Sequence, residues 1–356
     1  MILFSPGPSN ISERVRRALL APDIGHREPE FAALMNDVRT GIRAVSGLAP
    51  HSPRTVVLLG GSGSVAIESI VAACRPLGRL LVIANGPYGE RAAAMARHHG
   101  VDVDEWRLGW GDAIALAQLD ERLHAAKYGA VYVVHHETAT GRLNPLREVA
   151  QAAKRHGALV LADTISSIIG EPIDVEGWQL DAVVGTANKC LRGVPGVAFA
   201  IVSPAFRQAA KQQRAQHYSN LELHASAQEN GEFPFTPPVQ AMFALREALA
   251  ETLDEGVAAR QAHYADLARR TLDGLESVGV TTLLERSAYG RTLVASHLPK
   301  GWTYDALHGP LKAKGYCIYA AQGALKPDAF RIGLIGHFGR EAVDGLFREM
   351  RAILTR

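Results

Sequence analysis

The sequence contains few cysteines and no long hydrophobic run. Its three cysteines, Cys74, Cys190 and Cys317, are far apart and odd in number, which excludes a disulfide framework and is typical of a reducing compartment. Paired-cysteine zinc spacing is absent, so we expect no metal site. No apolar stretch is long enough to span a bilayer, so we expect no membrane partner.

An excess of charge of either sign is also missing. The 356 residues include 38 basic and 36 acidic side chains, for a net charge of +2. Without clustered basic residues, nothing indicates a nucleic-acid or membrane surface. The N-terminus has no basic region followed by an apolar run, so we expect no signal peptide and a soluble, cytoplasmic protein.

Short apolar runs alternate with helical patterns from Thr55 onward. This alternation predicts an α/β fold, in which a mostly parallel sheet lies between helices. The C-terminal part predicts a smaller α+β unit. We therefore expect a large domain of residues 15–250 and a small domain of residues 1–14 and 251–356.

Some individual elements are also predicted. Two strands of the small domain are expected at Thr281 to Leu284 and at Tyr316 to Ala320. A helix is expected at Ala205 to Gln213.

Two polar residues follow short apolar runs of the predicted sheet. Asp163 comes directly after Ala158 to Ala162, and Lys189 follows Asp181 to Gly185. The carboxyl edge of such a sheet is where ligands bind. A lone buried charge is costly, but an aldehyde cofactor with a basic ring nitrogen satisfies both residues, the lysine as a Schiff base and the aspartate as partner of the pyridinium. The pair therefore suggests pyridoxal phosphate (PLP), although for two residues alone a structural ion pair is the commoner arrangement.

A glycine-rich turn, Gly60-Gly61-Ser62-Gly63-Ser64, lies between a predicted strand and a predicted helix. Its backbone N–H groups and the helix N-terminus can hold a phosphate. The spacing also fits the dinucleotide fingerprint of an oxidoreductase, which needs an acidic residue at the end of the next strand. That strand ends Ile83-Ala84-Asn85-Gly86, without a carboxylate, so hydride transfer is disfavoured. A plain tight turn is the other alternative.

Three further residues are candidates for the site. Tyr88 could stack on a flat cofactor or pack in the core, and the Thr138 hydroxyl could reach a ring oxygen or cap a helix. Arg331 lies in an apolar strand, where a buried guanidinium needs a carboxylate or phosphonate, or an internal salt bridge. Surface or capping charges are expected at Arg192, Arg340 and Lys211.

The order of these features resembles the class V, fold type I, PLP-dependent aminotransferases over nearly the whole chain. The matching segments are Ser5-Pro6-Gly7-Pro8, Gly61-Ser62-Gly63-Ser64, Asn85-Gly86-Pro87-Tyr88-Gly89, Glu137-Thr138-Ala139-Thr140-Gly141, Lys189-Cys190-Leu191-Arg192-Gly193-Val194-Pro195-Gly196, Phe235-Thr236-Pro237-Pro238 and Phe330-Arg331-Ile332-Gly333.

The resemblance implies a role for each matched residue. Lys189 is the implied Schiff-base lysine and Asp163 the pyridinium partner. Arg331 is similar to the residue that clamps the substrate's anionic group. Thr236 is similar to a residue that the neighbouring subunit donates to the phosphate, which implies a homodimer. The implied remaining cofactor contacts are Ser62, Gly63 and Ser64 at the phosphate, Tyr88 on the ring face and Thr138 near the phenolic oxygen.

The segment from Lys189 to Gly196 is most similar to the phosphonate branch of the family. This implies transfer of an amino group from 2-aminoethylphosphonate to pyruvate. The turn His26 to Phe31 is shared with relatives that use alanine or serine with glyoxylate or pyruvate, which is the main alternative. Asn188 departs from those relatives, which commonly carry glutamine. A cysteine desulfurase would need a mobile nucleophilic cysteine, and the apolar surroundings of Cys190 and Cys317 are typical of packing residues.

Overall fold

The computed structural model describes residues 1–212 and 217–355. Within these ranges no helix is both long and apolar enough to cross a membrane. The strands are β1 Ile2–Leu3, β2 Thr55–Gly61, β3 Leu80–Ala84, β4 Val103–Arg107, β5 Ala130–Val134, β6 His136–Glu137, β7 Arg142–Leu143, β8 Leu159–Asp163, β9 Ala182–Thr186, β10 Gly196–Val202, β11 Leu293–His297, β12 Tyr316–Cys317, β13 Tyr319–Ala320 and β14 Ala329–Gly333. The helices are α1 Glu13–Ala18, α2 Pro29–Val45, α3 Gly63–Ala72, α4 Pro87–His98, α5 Leu116–Ala125, α6 Leu146–Arg155, α7 Pro204–Ala210, α8 Leu221–Glu229, α9 Val239–Glu255, α10 Val257–Ser277, α11 Tyr304–Ala313 and α12 Arg340–Leu354.

The central sheet has seven strands in the order β2-β10-β9-β8-β5-β3-β4. Only β10 runs antiparallel to its neighbours, β2 and β9. Strands covered on both faces are apolar along their whole length, as in β5, where Val131 and Val133 face one core and Tyr132 and Val134 the other. Helices α2 and α9 cover the first face and α3 and α4 the second. The predicted α/β architecture is confirmed.

A second, smaller core lies around the three-stranded antiparallel sheet β11-β14-β13. Leu267 of α10, Phe330 of β14 and Leu346 of α12 are fully buried in it. The N-terminal segment joins this core, because β1 pairs with β12 and Phe4 is buried there. The exact division into residues 15–250 against 1–14 and 251–356 stays a prediction.

Two predicted strands of this unit are wrong. Residues 281–284 contribute only a single bridge, Thr282 to Ser296, in which the Leu283 N–H donates to the Ala295 carbonyl at 3.1 Å and the His297 N–H donates to the Thr281 carbonyl at 2.9 Å. Beyond this bridge, the Leu284 N–H donates to the Tyr289 hydroxyl at 3.0 Å, and that hydroxyl donates to the Ala295 carbonyl at 2.6 Å.

The stretch Tyr316 to Ala320 divides into β12 and β13, which belong to different sheets. Strand pairing is interrupted at Ile318, whose carbonyl accepts from the Tyr304 hydroxyl at 2.9 Å instead of from a neighbouring strand. The helix predicted at Ala205 to Gln213 is α7, Pro204–Ala210, and Gln213 lies outside the described residues. Helix α8 and the short β6–β7 hairpin were not predicted.

Asp181 connects three elements of the large sheet. This buried carboxylate precedes β9 and forms an ion pair with Lys154 of α6. The same oxygen accepts from the Val160 N–H of β8 at 2.7 Å, and the other accepts from the Ser203 hydroxyl at 2.9 Å.

We predict that Asp181→Ala lowers the free energy of unfolding by about 3 kcal/mol, because it leaves a partly buried ammonium and a buried N–H without their acceptor. Urea unfolding followed by tryptophan fluorescence measures the change. Asp120→Ala is the control, since Asp120 pairs with Arg155 in an exposed ion pair and its loss should move the midpoint much less. Equal effects of the two substitutions would contradict the prediction.

Candidate active site

The carboxyl edge of the central sheet carries a small cavity. Asp163 is the last residue of β8, and Lys189 follows β9, so the parallel strands deliver both residues to the same edge. Both line the cavity together with Tyr88, Thr138 and Ser166. The cavity therefore brings together the two residues predicted to anchor the cofactor, Asp163 and Lys189, and two residues predicted to contact its ring, Tyr88 and Thr138.

Asp163 is a buried carboxylate that forms no ion pair within the described ranges. One oxygen accepts from the Ile165 N–H at 3.0 Å and the other from the Tyr132 hydroxyl at 3.4 Å. Burial raises the pKa of Asp163, and these hydrogen bonds and the charge of Lys189 only partly oppose it. The structural Asp–Lys ion pair considered as the alternative is not formed.

The Lys189 amine lies against the N-terminal segment. Its Nζ donates to the Pro6 carbonyl, and a Cβ on Gly7 would stand 2.9 Å from both Nζ and Cε. Gly7 also has a φ of +134°, a backbone conformation that favours glycine. Burial lowers the pKa of Lys189 to about 8, and the nearby charge of Arg331 acts in the same direction.

The glycine-rich turn forms the N-terminus of α3, as predicted. Ser62 is the N-cap, and the helix begins at Gly63. A Cβ on Gly63 would lie 2.5 Å from the Ile165 Cδ1 atom, so the turn touches the segment directly after Asp163. The helix N-terminus, with Ser64 in its first turn, therefore lies beside the Asp163 site and can accept a phosphate.

These residues fit PLP. Asp163 and Lys189 are charges of opposite sign, each removed from water without a counter-ion in the described part of the chain. A protonated ring nitrogen would satisfy the first and an aldehyde the second, while the N-terminus of α3 suits the phosphate. Asp163, Lys189, Ser62, Gly63 and Ser64 would hold the cofactor.

Arg331 is only 3% exposed, and carbonyl oxygens are its hydrogen-bond acceptors. Its Nε and Nη2 donate to the Ala320 carbonyl at 3.0 and 2.8 Å, and Nη1 donates to the Thr138 carbonyl at 3.2 Å. Burial lowers its pKa. No carboxylate lies within ion-pair distance among residues 1–212 and 217–355, so the internal salt bridge considered as the alternative is not present. Arg331 is not among the residues that line the cavity, although its Nη1 contacts the carbonyl of Thr138, which is.

Thr236 is exposed and does not line the cavity of its own chain. Its predicted contact with a neighbouring subunit's phosphate stays a prediction. The roles of Tyr88 on the cofactor ring and of Thr138 near the phenolic oxygen also stay predictions, although both residues lie at the cavity.

Sequence reasoning missed Arg91. Its guanidinium lies 4.9 Å from the centre of the Tyr88 ring and lines the same cavity. Residues three apart on a helix share a face, so this neighbour of Tyr88 could have been found from the spacing.

Glu137 was quoted only as part of a motif, yet it is fully buried beside the cavity. Its carboxylate accepts from the Ala139 N–H at 3.0 Å and the Tyr88 N–H at 3.3 Å. Burial raises its pKa to about 8. A Cβ on Gly86 would lie 2.3 Å from the Glu137 carboxyl carbon, which explains the glycine before Pro87.

His136 was also missed and lines the cavity. Its Nε2 lies 3.2 Å from the Gly141 carbonyl, and its Nδ1 lies 2.8 Å from the Thr292 hydroxyl. Burial lowers its pKa to about 4, so the ring is neutral near pH 7. No spacing in the sequence distinguishes it from a core histidine.

Arg192 was expected to be a surface or capping charge, and this is wrong. The residue has a left-handed backbone, with φ 59°, and is buried. Its Nε donates to the Tyr264 hydroxyl at 3.0 Å, and its guanidinium stacks 5.0 Å from that ring. Arg340 and Lys211 are exposed, as expected.

The sheet topology and the lysine–aspartate pair define a PLP-dependent transferase of fold type I. The family model for aminotransferase class V matches residues 9–320. The chain belongs to the class V aminotransferase family, whose cofactor is PLP.

Individual relatives cover the whole chain. A 2-aminoethylphosphonate–pyruvate transaminase of Pseudomonas putida (strain W619) is 33% identical over 99% of this chain and 98% of the relative. The enzyme of that name from Klebsiella pneumoniae is 33% identical over 94% and 92%. The crystal structure of an alanine–glyoxylate aminotransferase from Nostoc sp. superimposes with a TM-score of 0.92, at 28% identity over 99% of this chain and 95% of that one.

We predict that the cofactor-free protein captures PLP covalently with a pH dependence set by Lys189. The neutral amine is the reactive form, and its pKa of about 8 lies well below the ordinary lysine value. The rate should rise roughly tenfold per pH unit up to about pH 7 and level off above about pH 8. Stopped-flow absorbance measures it, with Lys189→Met as the variant that cannot react. A rate that keeps rising beyond pH 10 would contradict the prediction.

Proposed function

We propose that the protein transfers the amino group of 2-aminoethylphosphonate to pyruvate, giving phosphonoacetaldehyde and alanine. The full-length similarity to relatives of that name supports this reaction. The observation that carries it is Arg331, a buried guanidinium without a carboxylate partner in the described chain, close enough to Lys189 to lower its pKa. It offers a place for an anionic group next to the reacting amine.

When bound, PLP supplies an aldehyde for the donor amine and a ring that accepts electrons. Lys189 then acts as general base and acid, moving the proton between the substrate carbon that bears nitrogen and the cofactor. The pKa of Lys189, about 8, suits general acid and base catalysis, because both the protonated and the neutral amine are accessible near neutral pH. Asp163 keeps the ring nitrogen protonated.

Arg331 serves both half-reactions in this proposal. In the first it holds the phosphonate of the donor, which has no carboxylate. In the second it holds the carboxylate of pyruvate or alanine. A planar fork of N–H donors suits either anion, so one residue can be used twice.

The main alternative keeps the cofactor and changes the donor to alanine or serine, with glyoxylate or pyruvate as acceptor. The structural neighbour from Nostoc carries such a name, at lower identity than the phosphonate relatives. A cysteine desulfurase is disfavoured because Cys190 is buried and burial raises its pKa to about 12. Membership of the aminotransferase family excludes the nucleotide-binding oxidoreductase.

A homodimer and a cytoplasmic location belong to the same proposal. Ser62 and Thr236 are both exposed in the single chain, so a second subunit that brought its Thr236 to the phosphate would cover them. The three cysteines form no disulfide, which suits a reducing compartment.

The proposed reaction is tested by mixing the cofactor-loaded protein with 2-aminoethylphosphonate, and separately with alanine, without an acceptor. Each donor should convert the bound cofactor to its amine form, seen as loss of the visible absorbance band. Pyruvate should restore the band. A response to alanine but none to the phosphonate would favour the main alternative.

We predict that Arg331→Ala lowers kcat/KM for 2-aminoethylphosphonate about 10²-fold or more, because the substrate anion loses its buried counter-ion. The cofactor should remain bound with its absorbance unchanged. Arg340→Ala is the matched control, since Arg340 is an exposed arginine that pairs with Asp266 away from the cavity. Unchanged turnover in Arg331→Ala would remove this residue from the site.

A further inference from the structure

A second cavity lies at the amino end of β2, at the edge of the central sheet opposite the candidate active site. Its volume is about 330 Å³. Residues from three elements line it: Asn36, Arg39, Thr40 and Arg43 of α2, Arg54 directly before β2, and Glu229 at the end of α8. Strand β2 is seven residues long, so the glycine-rich turn at its other end is about 20 Å away. The cavity is therefore separate from the cofactor site.

The three arginines of this cavity are held by backbone carbonyl groups. Within residues 1–212 and 217–355, none of the three forms an ion pair with a carboxylate. The acceptors are the carbonyl oxygens of Val56 and Gln228 for Arg39, of Ala49, Ser52 and Arg54 for Arg43, and of Leu180 for Arg54. These contacts fix the side chains in place but leave their positive charges without a counter-ion.

The carboxylates near the cavity have partners of their own. Both oxygens of Glu229 accept from the Arg207 guanidinium. Asp181 pairs with Lys154, and one Glu176 oxygen accepts from the Ala49 N–H at 2.8 Å.

The charges of the cavity are only partly compensated. Burial lowers the pKa of Arg39, and Glu229 only partly opposes this effect. Burial also lowers the pKa of Arg54, against the charges of Asp181 and Glu176. The cavity thus concentrates positive charge in a partly desolvated place.

The arginines also keep unused hydrogen-bond donors. A guanidinium carries five N–H groups. Among the described residues, Nη2 of Arg39, Nε of Arg43, and Nε and Nη2 of Arg54 donate to no acceptor. Planar forks of this kind match the oxygens of a phosphate, and three cations suit a dianion better than a singly charged carboxylate.

We propose that this cavity, the arginine pocket of Arg39, Arg43 and Arg54, binds the phosphate or phosphonate group of a small molecule. This site is additional to the cofactor and substrate sites, and it does not depend on the proposed reaction. Its volume leaves room for a short organic group beside the dianion. The Asn36 amide and the Thr40 hydroxyl, on the same face of α2 as Arg39 and Arg43, can bind that group.

The test titrates the cofactor-loaded protein with inorganic phosphate, and separately with glycerol 3-phosphate, by isothermal titration calorimetry. The cofactor is kept in place so that its own phosphate occupies the N-terminus of α3. Ionic strength is held constant at about pH 8, where both probes are dianions. Tighter binding of the ester would identify an organic ligand, and equal affinities would identify the free anion. If neither probe bound to the wild-type protein, the inference would be overturned.

A matched pair of variants at Thr40 locates the binding. Thr40 is an exposed residue of α2 that takes no part in the arginine–carbonyl contacts, so both variants should fold. Thr40→Glu places a carboxylate at the arginine pocket, which repels the probe and competes for the guanidinium groups. It should weaken phosphate binding about tenfold or more, whereas Thr40→Gln, of the same size but neutral, should change it less than about threefold. Equal affinities in the two variants would overturn the inference.

Arginine modification by phenylglyoxal gives an independent test on the wild-type protein. At a phosphate concentration ten times its dissociation constant, modification of Arg39, Arg43 and Arg54 should slow about tenfold. Peptide mass mapping measures each rate. Arg155, an exposed arginine that pairs with Asp120, is the internal control and should react at an unchanged rate. If the rates at the arginine pocket did not depend on phosphate, the anion would be bound elsewhere and the inference would be wrong.

Discussion

Two opposite charges withdrawn from water, and not paired with each other, are the constraint on which the site depends. Burial raises the pKa of Asp163 and lowers that of Lys189 to about 8, so each ionised form is held at a cost. Adjacent parallel strands deliver the two residues to one edge, and the core on both faces keeps them there. A cofactor that carries a basic ring nitrogen and an aldehyde removes both costs at once. The site is therefore built for its ligand rather than for stability alone.

A third buried charge without an ion-pair partner in the described chain is Arg331, which we propose as the residue that binds the substrate anion. Arg331 comes from a different sheet, yet its Nη1 donates to the Thr138 carbonyl next to the cavity. This contact fixes the smaller core against the carboxyl edge of the large sheet. The same docking brings Gln322 to the Tyr88 hydroxyl. In the proposed function, recognition of the substrate anion thus depends on how the two cores pack, whereas recognition of the cofactor ring would depend on the large sheet and the N-terminal segment at Lys189.

Local patterns predicted the parts of the structure that local forces determine. The apolar strands, the glycine turn before α3, and the positions of Asp163 and Lys189 follow from runs and spacings in the sequence. Features decided by distant contacts were missed. Nothing near Arg192 in the sequence indicates that its guanidinium contacts Tyr264, 72 residues further along the chain. Arg331 was found because a charge in an apolar strand is locally conspicuous, but its lack of a counter-ion could only be seen in three dimensions.

The central claim is that Lys189 carries the cofactor, and reduction of the loaded protein with borohydride tests it most directly. Reduction makes the link between the cofactor and its lysine permanent, so peptide mass mapping can locate it. We predict that the added mass lies on the peptide containing Lys189 and on no other. A label on another lysine, or a protein that takes up no label after reconstitution with PLP, would contradict the account.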